Sequence, residues 1–201
     1  MLHRPWAWFL FALLMLVPPA VLLGLRSQVA VPEDYGPMPS FSLVSHAGAP
    51  FTNADLAGDV VVLDFIFTRC PDVCPLMTTQ MVALQRALPA RPFGGPRLQL
   101  VSVSVDPMHD TPPVLQAYAE RYGADLGPWT FLTGSPGDIS ALSEGLAQAL
   151  VARPTDDEAP DITHSQRLLL IDPSGHVRGF FQTDAAGLDG LVAAIEGIAA
   201  E

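Results

Sequence analysis

Cys70 and Cys74 are the only cysteines in the 201-residue chain, and they sit close together in Thr68-Arg69-Cys70-Pro71-Asp72-Val73-Cys74-Pro75. Thiolates are nucleophiles and soft-metal ligands, so a close pair can form a structural disulfide, act as a redox dithiol or hold a soft metal. The pair follows an apolar run and precedes a helical pattern, where first-turn amides and the helix dipole lower a thiol pKa. Both thiols are therefore expected to be rich in thiolate. Pro75 has no N–H to donate, which puts the helix start near Cys74 and leaves Cys70 in the preceding loop, free to converge on its partner. A bridge across so short a loop would remove little chain entropy. The usual redox motif has two intervening residues, whereas Pro71, Asp72 and Val73 intervene here. A metal site needs a third ligand. His164, in Asp161-Ile162-Thr163-His164-Ser165 at the mouth of a strand pattern, is the candidate, because strand ends gather the sites of open α/β sheets.

Other chemically capable residues have plainer readings. Met77 and Met81 are four apart on one helical face and read as core. Asp106 and Asp110 read as turn and cap residues, and His109 beside Met108 as an exposed side chain. His3 is in the leading tail, His46 and His176 are in or near turns, and Asp156-Asp157-Glu158 read as a solvated acidic loop.

The elements that would position the cysteines alternate between strand and helix. Residues 60–67 (VVVLDFIF) have no polar face, as in a strand covered on both sides, and are expected at the centre of a sheet. Helical spacing follows over 75–88, strand alternation over 98–105, a proline-started helix over 112–122, a short strand over 129–132 and a helix over 136–150. Two strands, 165–171 and 176–181, flank the Asp172-Pro173-Ser174-Gly175 turn, and an amphipathic helix over 187–199 closes the chain. Residues 41–45 and 49–52 read as a small hairpin before all of these. The order predicts an α/β fold with a mixed sheet and helices on both faces.

Residues 6–25 (WAWFLFALLMLVPPAVLLGL) carry no charge and, as a helix, would cover about 30 Å, enough to cross a bilayer. The run exceeds a signal-peptide core and lacks a good cleavage site, so an uncleaved anchor is expected, with the N-terminus inside and the domain outside. The organisation expected is an anchor over 1–25, an extended proline-containing linker over 26–37 and one domain over 38–201. Net charge is −11 overall, and residues 31–201 hold 21 acids against eight arginines, or −13. That excess disfavours nucleic-acid partners, and the absence of any lysine excludes Schiff-base and P-loop chemistry.

Three blocks of sequence resemble the Sco/SenC family of membrane-anchored copper proteins. They are Phe65-Ile66-Phe67-Thr68-Arg69-Cys70-Pro71-Asp72-Val73-Cys74-Pro75, then Ser104-Val105-Asp106-Pro107 with Asp110-Thr111-Pro112, then His164-Ser165 before Leu169-Leu170-Ile171-Asp172 and Gly175. The resemblance runs from about Met38 to Ile195. It implies a thioredoxin-like fold behind an N-terminal membrane helix, and copper, Cu(I) or Cu(II), held by Cys70, Cys74 and His164. It also implies a role in assembling the binuclear copper centre of cytochrome c oxidase, by copper delivery to the copper-binding subunit, reduction of its cysteines, or both. The setting implied is an inner membrane crossed once, with the domain in the periplasm or its equivalent. Thr163 stands where family members often have an acid, leaving Asp161 to orient the His164 ring, and His109 stands where they often have a basic residue. The alternative is a metal-independent, membrane-anchored thiol-disulfide oxidoreductase using Cys70 and Cys74. A peroxidase of the same fold class and a zinc site are the remaining rivals.

Overall fold

The computed structural model describes residues 32–89, 95–151 and 166–199. Strands β1 (Ser42–Ser45), β2 (Pro50–Thr52), β3 (Val60–Ile66), β4 (Leu98–Ser104), β5 (Trp129–Thr133), β6 (Arg167–Ile171) and β7 (Val177–Gln182) form one sheet in the order β2-β1-β5-β4-β3-β6-β7. The helices are α1 (Val73–Ala87), α2 (Pro112–Tyr122), α3 (Pro136–Val151) and α4 (Ala185–Ala199), with a 3-10 turn over Asn53–Leu56. β3 is the third strand from one edge, parallel to β4 and antiparallel to β6, and every residue in it is buried. A run that is apolar but for Asp64 becomes a strand because both faces are covered, and each fully buried Val, Leu or Ile contributes about 1.5–3 kcal/mol.

Successive β3 side chains alternate between two cores. Val60, Val62 and Ile66 pack with Met77 and Met81 of α1, Leu115 and Tyr118 of α2, and Leu191 and Ile195 of α4. Val61, Leu63 and Phe65 pack with Ile139 and Leu142 of α3 on the other face. The sheet is thus sandwiched between helices as the sequence pattern predicted, in a thioredoxin-like α/β fold. Met77 and Met81 are core residues with almost no exposure. The helix over 112–122 stops at Gly123, whose φ of 70° lets its N–H reach the Ala119 and Glu120 carbonyls.

Two features differ from the sequence reading. The 3-10 turn was not anticipated; Thr52 and Asp55 form its reciprocal cap, with the Thr52 N–H donating to Asp55 Oδ2 at 2.7 Å. Residues 32–37, read from the sequence as the end of the linker, are hydrogen-bonded to β7. The Tyr35 N–H donates to the Val177 carbonyl and the Val177 N–H to the Gly36 carbonyl, both at 2.9 Å, while the Arg178 guanidinium donates to the Pro32 carbonyl. No helix among the described residues is long and apolar enough to cross a membrane, and the 6–25 run lies outside them.

Candidate metal centre

β3 ends at Ile66 and delivers the chain into the loop that carries Cys70, while Cys74 lies in the first turn of α1. Asp72, immediately before the helix, makes no side-chain cap, and Pro75 falls in the first turn, where its missing N–H costs no intrahelical bond. Cys70 is partly exposed and Cys74 buried; both are free thiols. The Cys74 N–H approaches Cys70 Sγ at 3.5 Å.

The two thiols are not alike, contrary to the expectation that both are thiolate-rich. Burial opposes ionisation of Cys70, but the backbone N–H groups of Cys74, Asp72 and Val73 and the Cys74 thiol all aim at its sulfur and bring its pKa below the ordinary value. Burial dominates at Cys74 and, with the neighbouring Cys70 and the charge of Asp64, pushes its thiol up to about 12. Sequence spacing could place both residues at a helix head; it could not show that only one sulfur stays within reach of solvent. Iodoacetamide at neutral pH is therefore expected to modify Cys70 more than about 100-fold faster than Cys74. Fragmentation mass spectrometry would read the site, and comparable labelling of the two would refute this asymmetry.

The Cys70 loop is held from one side by the β4–α2 connection. Asp110 is fully buried there, and its carboxylate accepts from the Thr68 N–H at 3.0 Å, Thr68 Oγ1 at 2.5 Å and Ser104 Oγ at 2.6 Å. The His109 ring nitrogen lies 2.9 Å from Asp110 Oδ1. Burial alone would raise the Asp110 pKa, but the hydrogen bonds from His109, Ser104 and Thr68 outweigh it and keep the carboxyl below its usual range. Asp106 receives the Arg69 guanidinium at 2.5 Å. Asp106 and Asp110 therefore do more than the turn and cap roles read from sequence, because they tie down the two residues before Cys70. The signal for this lay in the spacing of polar residues after a strand, which sequence alone could not pair with a loop some forty residues earlier.

Asp106, His109 and Asp110 also bring ligand atoms within 4.8 Å of one another. Their oxygens are committed to Arg69, Thr68 and Ser104, so a cation there would displace existing bonds. His46 accepts from the Phe131 N–H at 3.2 Å and His176 lies 2.9 Å from Asp34, both in structural contacts. His164, Asp161 and the acidic loop lie outside the described residues, as does His3. The described structure thus brings together two of the three sequence-predicted ligands.

Residues 32–200 match the SCO1/SenC family. The SCO1 protein homolog of Bacillus subtilis is 32% identical over 151 residues, which is 75% of this chain and 75% of that protein. BsSco, described as a member of the Sco family of cytochrome c oxidase assembly proteins with a disulfide switch, superimposes with a TM-score of 0.67 at 27% identity, covering 84% of this chain and 96% of that one. Arabidopsis thaliana ScoI, solved with copper bound, gives a TM-score of 0.60 at 26% identity over 83% of this chain and 99% of that one.

Proposed function

Because this chain belongs to the SCO1/SenC family, we propose that it is a copper-binding metallochaperone that helps assemble the binuclear copper centre of cytochrome c oxidase. Cys70, Cys74 and His164 hold the metal, and residues 6–25 anchor the chain once in an inner membrane with the domain on the periplasmic or equivalent side. The observation that carries this reading is the thiol pair itself: two free cysteines in hydrogen-bonding contact at the head of α1, one open to solvent. Thiolates select Cu(I), and an imidazole suits either copper valence. A bound cation also offsets the burial that keeps Cys74 protonated, so loading releases protons and strengthens as pH rises. With only three protein ligands, an incoming donor can attack the metal without dismantling a closed tetrahedron, which suits a protein that gives its cargo away.

The test is titration of the reduced full-length chain in detergent with Cu(I), followed by X-ray absorption. The expected result is one copper per chain with two sulfur neighbours and one nitrogen. Preferential retention of zinc in competition, or a copper environment lacking sulfur, would overturn the assignment.

Thiol-disulfide exchange is the second reading, favoured by the contrast between the two sulfurs. The Cys70 thiolate attacks a partner disulfide, forming a mixed disulfide and releasing one partner thiolate. Cys74 then loses its proton and attacks Cys70 Sγ, closing the Cys70–Cys74 disulfide and releasing the second partner thiolate. Two electrons pass to the partner, and the oxidised pair can no longer supply thiolates to a metal. Copper loading and reduction are then alternative uses of one pair of sulfurs.

A further inference from the structure

A cavity of about 410 Å³ opens between the loop that leads into Cys70 and the outer face of α2. Its charged lining is Arg69 and Arg121, with the His109 ring beside them, and its apolar wall includes Val114 and Ala117. The Arg69 side chain is 61% exposed and meets only the Asp106 carboxylate among the described residues. Arg121 is exposed and has no hydrogen-bond or ion-pair partner among them. This is a local reversal of sign on a domain with 21 acids and eight arginines. Two guanidiniums converging on one hollow recognise carboxylates, and the size is ordinary for a ligand site.

We propose that this cavity is the docking site for an acidic segment of the recipient protein, in which a carboxylate stands beside an apolar side chain. The carboxylate pairs with Arg121 and the exposed face of Arg69, while the apolar group lies against Val114 and Ala117. Thr68 and Arg69 both line the cavity and immediately precede Cys70, so a segment seated there is held beside the accessible sulfur. Cys74 is buried and does not line the cavity. Naming the occupant as the recipient rests on the copper-handling function proposed above.

The probe is acetyl-Gly-Glu-Leu-Glu-Phe-Gly-amide, titrated calorimetrically into the reduced, metal-free full chain in detergent. Binding is expected, weakening as salt rises, and weakened roughly tenfold or more when glutamine replaces both glutamates in the peptide. Arg121→Glu and Ala117→Glu, both on the exposed face of α2, are each expected to weaken it roughly tenfold while Cu(I) stoichiometry stays that of the parent protein. Equal binding of the glutamine peptide, or unchanged binding by both variants, overturns the proposal. So does displacement of the peptide by free glutarate at matching concentration, which would mark a small-anion site. Copper is titrated separately on the same samples: failure of the peptide with copper intact rejects this docking site alone. Failure of copper at Cys70 and Cys74 with the peptide results intact removes the recipient as the occupant and rejects the copper reading.

Discussion

Replacing His164 by alanine is expected to weaken Cu(I) binding more than about a hundredfold while leaving reduction of a disulfide substrate by Cys70 and Cys74 largely intact. Loss of an outer hydrogen-bonding partner of a ligand already costs roughly 10- to 100-fold in metal affinity, and removal of a ligand itself should exceed that. Cu(II) should suffer more than Cu(I), because two thiolates alone can satisfy the softer ion and imidazole is the harder donor. The exchange reaction draws only on the Cys70 thiolate and the Cys74 thiol, whose pKa values are set by burial and by N–H groups of the α1 head. Competition against a chromophoric Cu(I) chelator and the rate of glutathione-disulfide reduction provide the two readouts. Unchanged copper affinity would defeat the three-ligand assignment; parallel loss of both activities would point to a folding role for the histidine.

The second large effect concerns Asp64, the one acid in β3, which lies on the strand face that packs against α1. It is completely buried, and among the described residues neither carboxyl oxygen has a partner in hydrogen-bond geometry. Ser102 stands opposite it on β4 and eases the cost slightly, and its oxygen also accepts from Trp129 Nε1 at 3.0 Å. Burial therefore pushes the Asp64 pKa up from 3.8 to about 7. The folded state holds this proton more tightly than the unfolded chain does, so folding stability falls as pH rises from about 4 to about 7 and is level above that. The span corresponds to about 4 kcal/mol.

Asp64→Asn removes this ionisation, and the variant is expected to gain on the parent protein steadily across that interval, by about 4 kcal/mol at pH 8 relative to pH 4. Because the constant cost of a buried amide cancels in the comparison between pH values, urea denaturation at several pH values reads the titration directly. Asp110 and Asp172 pull the other way. Their folded pKa values lie below the ordinary one, so the stability they contribute is present above about 4 and lost as pH falls further. The two windows do not overlap, and a pH-independent difference between Asp64→Asn and the parent would refute the account of Asp64.

β3 shows how much was legible from local pattern. Residues 60–66 are apolar apart from Asp64, so a strand covered on both faces could be read directly, and its place in the interior of the sheet rather than at an edge followed. The prolines at 112 and 113 and Gly123 likewise mark the two ends of α2 without help from any other part of the chain. Cys70 and Cys74 could be singled out because their types and spacing are themselves the chemistry. The tie made by Asp110, read from the sequence only as a turn or cap residue, and the setting of Arg121 were not legible for the opposite reason. Asp110 acts through Thr68, 42 positions away, and the cavity beside Arg121 exists only where α2 faces the Cys70 loop.

By itself the sequence determined the alternation of strands and helices, the position of the thiol pair at a helix head and the strongly acidic balance of the domain, since each follows from side chains adjacent along the chain. The tertiary structure alone decided that Cys70 is the open, more acidic thiol and Cys74 the buried, reluctant one. It also decided that, among the described residues, neither Asp64 oxygen has a hydrogen-bond partner, and that Arg69 and Arg121 line one hollow. Exposure, desolvation and the summed field at a group depend on which distant segments pack around it, and those distances are set only when the sheet assembles.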